Sequence, residues 1–164
     1  MSNSPASHRL RIGRYAEPDR IYLLTSNTCQ RKPFFRDFAL GRLVANQFVF
    51  AQKQGHVNSL AWVVMPDHFH WLVELKRGSL GELMQRTKSF STKAVNQSTG
   101  GKINLWQKGF YDQALRQEDD LVKMARYVVA NPLRAGLVEK LSDYPLWDAI
   151  WAQAKIESSS SLAG

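Results

Sequence analysis

The chain has 164 residues, a length that fits one ordinary domain with a sizeable core. Hydrophobic residues make up 44% of it, which excludes a largely disordered chain, and no apolar run approaches the roughly 20 residues that span a bilayer. The single cysteine, Cys29, excludes an internal disulfide framework and a cysteine-rich zinc site. The net charge of +8 favours a polyanionic partner such as nucleic acid. Because the start of the chain lacks the apolar stretch of a signal peptide, we expect a cytoplasmic protein.

The hydrophobic pattern predicts seven elements in the order β-α-β-β-α-β-α. Strands are expected at 20–29, 57–65, 68–75 and 105–116, and helices at 34–54, at 79–95 and from residue 118 onward. Pro66 and Asp67 predict a hairpin turn between the second and third strands. The order is that of an α+β, ferredoxin-like split βαβ sandwich, with an antiparallel sheet and helices on one face.

The sequence predicts three flexible segments. A flexible segment is expected over residues 1–13 and a partly disordered tail over 151–164, which leaves one domain over 14–150. Within that domain the Gly- and Ser-containing run 96–102 predicts a flexible connection between two patterned segments.

Two histidines form the sharpest local feature of the sequence. His68 and His70 lie two residues apart in a predicted strand, so both point to one face with Cα atoms about 6.7 Å apart. Phe69 and Trp71 point the other way and belong to the core side. Two imidazoles at this spacing can converge on one divalent ion, although a structural role stays open from spacing alone. A zinc site would need further ligands, and the sequence nearby offers no cysteine or third histidine.

A helical segment further along supplies a second feature. Tyr127 and Asn131 are four residues apart and therefore share one face of the predicted helix. Pro132 disfavours the helical conformation at Asn131, which predicts a kink or a restart of the helix there. From the spacing alone, a core tyrosine followed by an asparagine cap is the favoured interpretation.

Together these motifs resemble those of a known family. The segments 66–70, 106–116 and 127–138 occur in the order and separation seen in the HUH single-tyrosine transposases of the IS200-like superfamily. The likeness is strongest to the REP-associated tyrosine transposases and extends from about Arg14 to Trp147. Their ferredoxin-like fold agrees with the order of elements predicted above.

The resemblance implies a role for each matching residue. His68 and His70 would bind Mg²⁺ or Mn²⁺, Asn131 would be the third metal ligand, and Tyr127 would be the nucleophile. The implied activity is cleavage and rejoining of single-stranded DNA at hairpins of imperfect palindromic repeats, through a 5′-phosphotyrosine. The expected partner is hairpin DNA, with no membrane and no small-molecule substrate, for a monomer or homodimer associated with the nucleoid.

Basic and aromatic side chains near these motifs are candidates for holding the DNA strand, by phosphate contact or base stacking. These candidates are Arg9, Arg11, Arg14, Arg86, Lys88, Lys93, Trp106 and Arg116. Two other classes of function stay open: a non-catalytic module that binds hairpin DNA or RNA on the same fold, and a zinc hydrolase.

Overall fold

The structure is a computed structural model that describes residues 20–116 and 118–150, so the predicted loose segments 1–13 and 151–164 lie outside the described residues. The strands are β1 Ile21–Asn27, β2 Val57–Met65, β3 His68–Leu75, β4 Tyr111–Ala114 and β5 Trp147–Ala149. The helices are α1 Phe38–Lys53, α2 Leu80–Thr99, α3 Glu118–Val129 and α4 Asn131–Arg134. Short 3₁₀ helices span Cys29–Arg31, Phe34–Arg36 and Leu141–Asp143.

The five strands form one sheet in the order β4-β1-β3-β2-β5, and every neighbouring pair is antiparallel. The first four strands have the order of the split βαβ sandwich, so the predicted α+β, ferredoxin-like class is confirmed. The predicted hairpin is also present, since Met65 pairs with His68 across Pro66 and Asp67.

The core lies between the sheet and α1 and α2, which pack on one face as predicted. Phe48 of α1 contacts Phe69 and Trp71, with ring centroids 5.0 and 4.4 Å away. Trp106 ties α2 to this layer, because its Nε1 donates to Ser91 and its ring lies 5.3 Å from Phe69. Successive strand residues alternate between faces, so the histidines of β3 point away from this core.

The helix after β4 lies against the other face of the sheet, so the prediction of helices on one face holds for α1 and α2 and is wrong for α3. α3 contacts β2 and β3, and its Ala125 and Val128 are buried. The ring of Tyr127 lies 6.5 Å from that of His70, centroid to centroid. α3 therefore brings the tyrosine to the histidine side of the sheet.

Both long helices differ from their predicted bounds for local reasons. α1 begins at Phe38 because the side chain of Asp37 accepts a hydrogen bond from Ala39 N at 3.0 Å. α2 continues to Thr99 and ends at Gly100, whose φ of 69° suits a residue without Cβ. The predicted flexible connection over 96–102 is therefore helical in its first four positions.

The last part of the chain departs most from the prediction. Only Tyr111–Ala114 of the predicted strand 105–116 forms β4, while Trp106 makes a single bridge to Thr28. β5 was not predicted, because three residues are too short to show an alternating pattern. No helix in residues 20–116 and 118–150 is long and apolar enough to cross a membrane.

Candidate active site

His68 and His70 lie side by side on the face of β3 that α3 partly covers. Their ring centroids are 4.9 Å apart and the rings are nearly perpendicular. Both side chains are largely buried, and His68 exposes 14% of its side chain. The two imidazoles therefore lie next to each other on one face of β3, as predicted.

The imidazole of His68 is oriented by an acidic neighbour that the sequence analysis did not single out. Asp67 Oδ1 lies 2.8 Å from His68 Nδ1, and Asp67 Oδ2 accepts from Arg31 Nε at 3.0 Å. Burial works to raise the pKa of Asp67, but the hydrogen bonds from His68 and Arg31 outweigh it and lower that pKa. Asp67 is therefore an anion between two donors.

The imidazole of His70 is held by the adjacent strand. Thr25 of β1 pairs directly with His70, and its Oγ1 lies 2.7 Å from His70 Nδ1. Each histidine thus has its Nδ1 engaged by a neighbour. When Nδ1 carries the proton and donates, Nε2 of each ring presents its lone pair, which is the arrangement of metal-binding histidines.

Burial disfavours the protonated form of both histidines. Burial lowers the pKa of His68, against the opposing effect of Asp67. Burial, with contributions from His68, Arg134 and Arg31, lowers the pKa of His70 to about 3. Neutral imidazole is the form that binds a metal ion.

The predicted nucleophile, Tyr127, lies beside this pair. Ala125 and Val128 anchor α3 on the sheet, which leaves Tyr127 at the margin of the helix next to His70. The residue is 51% exposed, so its side chain is accessible from solvent.

Asn131 follows Tyr127 by one helical turn, as predicted. The predicted restart is also present, because α3 ends at Val129 and α4 begins at Asn131. Ala130 between them keeps a helical conformation and its N–H donates to Arg126 O at 3.0 Å. The half-buried Asn131 therefore stays on the side of the helix that Tyr127 occupies.

The side chains at the site fit a hard divalent cation that takes only part of its ligands from the protein. In residues 20–116 and 118–150 there is no group of three His, Cys, Asp or Glu side chains arranged to hold a metal ion. Two neutral imidazoles and the amide oxygen of Asn131 would leave positions for water and phosphate oxygens, which Mg²⁺ and Mn²⁺ accept. The assignment of His68, His70 and Asn131 as ligands stays a prediction.

Arg134 is a further residue of the site that the sequence analysis missed. Its guanidinium carbon lies 3.9 Å from the centroid of the Tyr127 ring. The sequence could have predicted its place near Tyr127, since residues 127, 131 and 134 have the i, i+4, i+7 spacing of one helical face. Thr25 and Arg31 gave no such signal, because strand pairing and a loop bring them to the histidines.

The predicted DNA-binding residues do not gather at the histidine pair. Arg9, Arg11 and Arg14 lie outside the described residues. Arg86, Lys88 and Lys93 belong to α2, on the opposite face of the sheet. The ammonium of Lys88 donates to Gln107 O and Gly109 O, so it fixes the loop before β4. Phosphate contact by Arg86, by Lys93 or by the exposed Arg116 stays a prediction.

The prediction that Trp106 stacks on a DNA base is wrong for this structure. Trp106 is only 7% exposed, and its ring packs against Phe35 and Phe69. Its N–H is also used by Ser91 within the core. An indole buried in this way supports the fold and offers no face to a nucleotide.

The other tyrosines downstream of the histidines have distinct environments. Tyr144 is buried and donates to Val64 O, and burial raises the pKa of Tyr144 to about 12. Tyr111 pairs across the sheet with Thr25, which in turn pairs with His70. Tyr111 is thus on the histidine face, two strands from His70, or about 9.6 Å.

Comparison with known proteins identifies relatives of this chain. Residues 20–131 match the family model described as "Transposase IS200 like". A REP-associated tyrosine transposase of Escherichia coli (strain K12) is 33% identical over 85 residues, which are 52% of this chain and 50% of that protein. A protein of Haemophilus influenzae, described as a REP-associated tyrosine transposase with putative status, is 25% identical over 61% of this chain and 65% of its own. The chain thus spans half to two thirds of these relatives.

Solved structures show the same fold. The structure of a REP-associated tyrosine transposase bound to a REP hairpin superposes with a TM-score of 0.66, at 23% identity, over 82% of this chain and 79% of that chain. The crystal structure of a Deinococcus radiodurans protein, described as a transposase with putative status, gives a TM-score of 0.52 at 19% identity, over 71% of this chain and 93% of its own. These superpositions show that the chain shares the fold of both proteins. The family model covers most of the described sheet, both histidines and Tyr127, and the chain belongs to the IS200-like transposase family.

Proposed function

We propose that the chain is a metal-dependent single-stranded DNA endonuclease and strand transferase that acts at hairpins of repetitive extragenic palindromes. The observation that supports this most is the position of Tyr127 beside the histidine pair, with ring centroids of Tyr127 and His70 6.5 Å apart. The relative whose structure contains a REP hairpin supports the substrate class. A protein with this substrate works on the chromosome, in the nucleoid.

In the proposed reaction the Tyr127 oxygen attacks the phosphorus of one phosphodiester. The new bond joins the phenolic oxygen to phosphorus, and the bond from phosphorus to the 3′-oxygen breaks. The phenolic proton leaves and the 3′-oxygen gains a proton, which gives a 5′-phosphotyrosine and a free 3′-hydroxyl. The number of ester bonds is unchanged, so a second 3′-hydroxyl can reverse the step and join two strands.

The side chains of the site have separate tasks in this reaction. His68, His70 and Asn131 would hold Mg²⁺ or Mn²⁺, which supplies Lewis-acid polarisation of the phosphate when bound. Asp67 and Thr25 orient the two imidazoles through their Nδ1 atoms. Helix α3 presents Tyr127 to the strand, and its rigidity helps to hold attacking and reacting atoms at the required separation.

The experiment uses a pool of oligonucleotides that carry an imperfect palindromic hairpin with randomised single-stranded flanks and a fluorescent 3′ end. Incubation with the protein and Mn²⁺ should give a fluorescent protein band that survives denaturing electrophoresis. The double variant His68→Ala/His70→Ala should lose this band and keep hairpin binding, while the control His56→Ala should keep both. His56 suits this purpose because it lies at the opposite end of the sheet.

Each other outcome contradicts the proposal in a defined way. A band shift on a native gel without any covalent adduct would indicate a non-catalytic hairpin-binding protein. Full adduct formation by the double histidine variant would remove the metal site from the reaction. A tightly held stoichiometric zinc ion with activity on a small substrate would instead indicate a hydrolase.

A further inference from the structure

Arg134 contacts the proposed nucleophile through its guanidinium plane. The guanidinium carbon is 3.9 Å from the centroid of the Tyr127 ring, well within the range of a cation–π contact. The backbone fixes this relation, because the N–H groups of Leu133 and Arg134 both donate to Ala130 O. Ala130 N in turn donates to Arg126 O, so the arginine and the tyrosine lie two helical turns apart on one continuous helical path.

The same arginine is close to the histidine pair. Its charge is among those that lower the pKa of His70, together with that of Arg31. Arg31 is itself anchored on Asp67, the partner of His68. Two guanidinium groups thus place positive charge around His68 and His70, on a surface where a phosphate would lie.

Stacking leaves the hydrogen-bonding capacity of a guanidinium intact. A guanidinium carries five N–H donors in its own plane, and a stacked ring covers only its face. Arg134 is an exposed residue, so solvent or a ligand can reach these donors. The edge of the guanidinium can donate two parallel hydrogen bonds to two oxygens of one phosphate. A lysine ammonium interacts with a phosphate only as a point charge.

We propose that Arg134 is a positioning and phosphate-binding residue of the cleavage site. It stacks on Tyr127 to fix the direction of the phenol relative to His70, and it donates from its edge to a phosphate of the strand being cut. The inference rests on the proposed function for the identity of that phosphate. The contact between Arg134 and Tyr127 does not depend on the proposed function. The role of Arg134 and the proposed function can therefore be tested separately.

The first measurement needs no DNA. The protein is labelled with 3-fluorotyrosine, and the ¹⁹F resonance of Tyr127 is assigned by its absence in Tyr127→Phe. Arg134→Ala should shift this resonance, because the group over the ring face is lost. The control Arg126→Ala removes the same charge from an exposed position next to Tyr127 and should shift it much less. Equal shifts in the two variants would overturn the stacking role.

The second measurement separates binding from chemistry. In Tyr127→Phe, which keeps the ring but blocks covalent attack, Arg134→Ala should lower the salt dependence of hairpin affinity by about one phosphate contact, a slope change of roughly 0.7. With Tyr127 present, Arg134→Ala should slow adduct formation by about tenfold to a hundredfold. Arg134→Lys should recover the salt slope, because it restores the positive charge. The rate of adduct formation should stay low, because an ammonium group has no plane to stack on the Tyr127 ring and no paired donors for two phosphate oxygens.

The failures of the two proposals differ. If no variant forms an adduct, the proposed function fails, while the ¹⁹F shift and the salt slope still report on Arg134. If Arg134→Ala matches Arg126→Ala in salt slope and adduct rate, Arg134 has no role in the site. Thermal unfolding of each variant shows whether the fold is intact, and Arg134→Gln replaces Arg134→Ala if the alanine variant is destabilised.

Discussion

The hydroxyl of Thr25 lies 2.7 Å from Nδ1 of His70, although 45 residues separate them in the chain. The contact exists because β1 and β3 pair in a register that sets Thr25 directly opposite His70. A hydrogen bond of this kind fixes the tautomer and the ring direction of a metal-binding histidine. Thr25 is therefore expected to contribute to metal affinity without touching the metal.

Replacing Thr25 by Val should weaken Mn²⁺ binding by about tenfold to a hundredfold, because the partner of Nδ1 is lost while the shape is kept. Titration calorimetry of the protein without DNA measures this directly. Thr25→Ser keeps the hydroxyl and serves as the matched control. Equal affinities in the valine variant and the natural protein would show that Thr25 has no influence on the site.

The stability of the metal-free protein should depend on pH through His70. Burial and nearby charges lower the pKa of His70 to about 3, whereas an unfolded histidine titrates near 6.5. Between these values the unfolded chain binds a proton that the folded chain does not. The contribution of neutral His70 to the free energy of unfolding is therefore fully present above about pH 6.5. It decreases as the pH is lowered, by at most about 1.4 kcal/mol per pH unit for one such group.

Urea unfolding with EDTA at about pH 7 and about pH 5 tests this effect. The free energy of unfolding should fall less over that interval in His70→Gln than in the natural protein. Identical pH dependence in the two proteins would mean that His70 is not held neutral in the folded state.

Tyr144 should matter for stability and not for chemistry. Its hydroxyl is buried and donates to Val64 O at 2.5 Å. Tyr144→Phe leaves that carbonyl without its partner, so we expect a loss of about 1–3 kcal/mol in the free energy of unfolding. Tyr127→Phe, at a half-exposed position, should lose almost nothing. The hypothesis fails if the two variants are equally stable in urea.

The sequence predicted the parts of the fold that depend on local pattern. β2, β3 and their two-residue turn are as predicted, because alternation and a proline at a turn are local signals. The buried face of α1 does not follow residue size, since Phe38 and Phe50 are exposed while Leu40 and Ala45 are buried. Aromatic size suggested burial, but the sheet contact decides which side of the helix faces inward.

The candidate site divides in the same way. His68, His70 and Tyr127 could be proposed because two-residue strand spacing and family motifs are visible in the sequence. Thr25 and Arg31 could not, because a strand register and a turn in left-handed backbone (φ 55° at Arg31) bring them to the histidines. Trp106 was misassigned because an aromatic residue in a motif looks the same whether it stacks on a base or fills a core.

The identity of the reacting tyrosine is the central claim of the account. The chain has five tyrosines, and two of the described ones share the histidine face: Tyr127, next to His70, and Tyr111, two strands away. Tyr127→Phe should bind hairpin DNA and Mn²⁺ but form no covalent adduct. Tyr111→Phe should keep at least part of the cleavage activity, because Thr25 and its strand separate Tyr111 from His70.

Peptide mapping of the adduct is the most direct test. The protein is trapped on hairpin-bearing single-stranded DNA in Mn²⁺, digested with a protease and a nuclease, and sequenced by mass spectrometry. The account predicts one nucleotide-modified peptide, with the modification on Tyr127. A modification on Tyr111 or Tyr144 instead would contradict it.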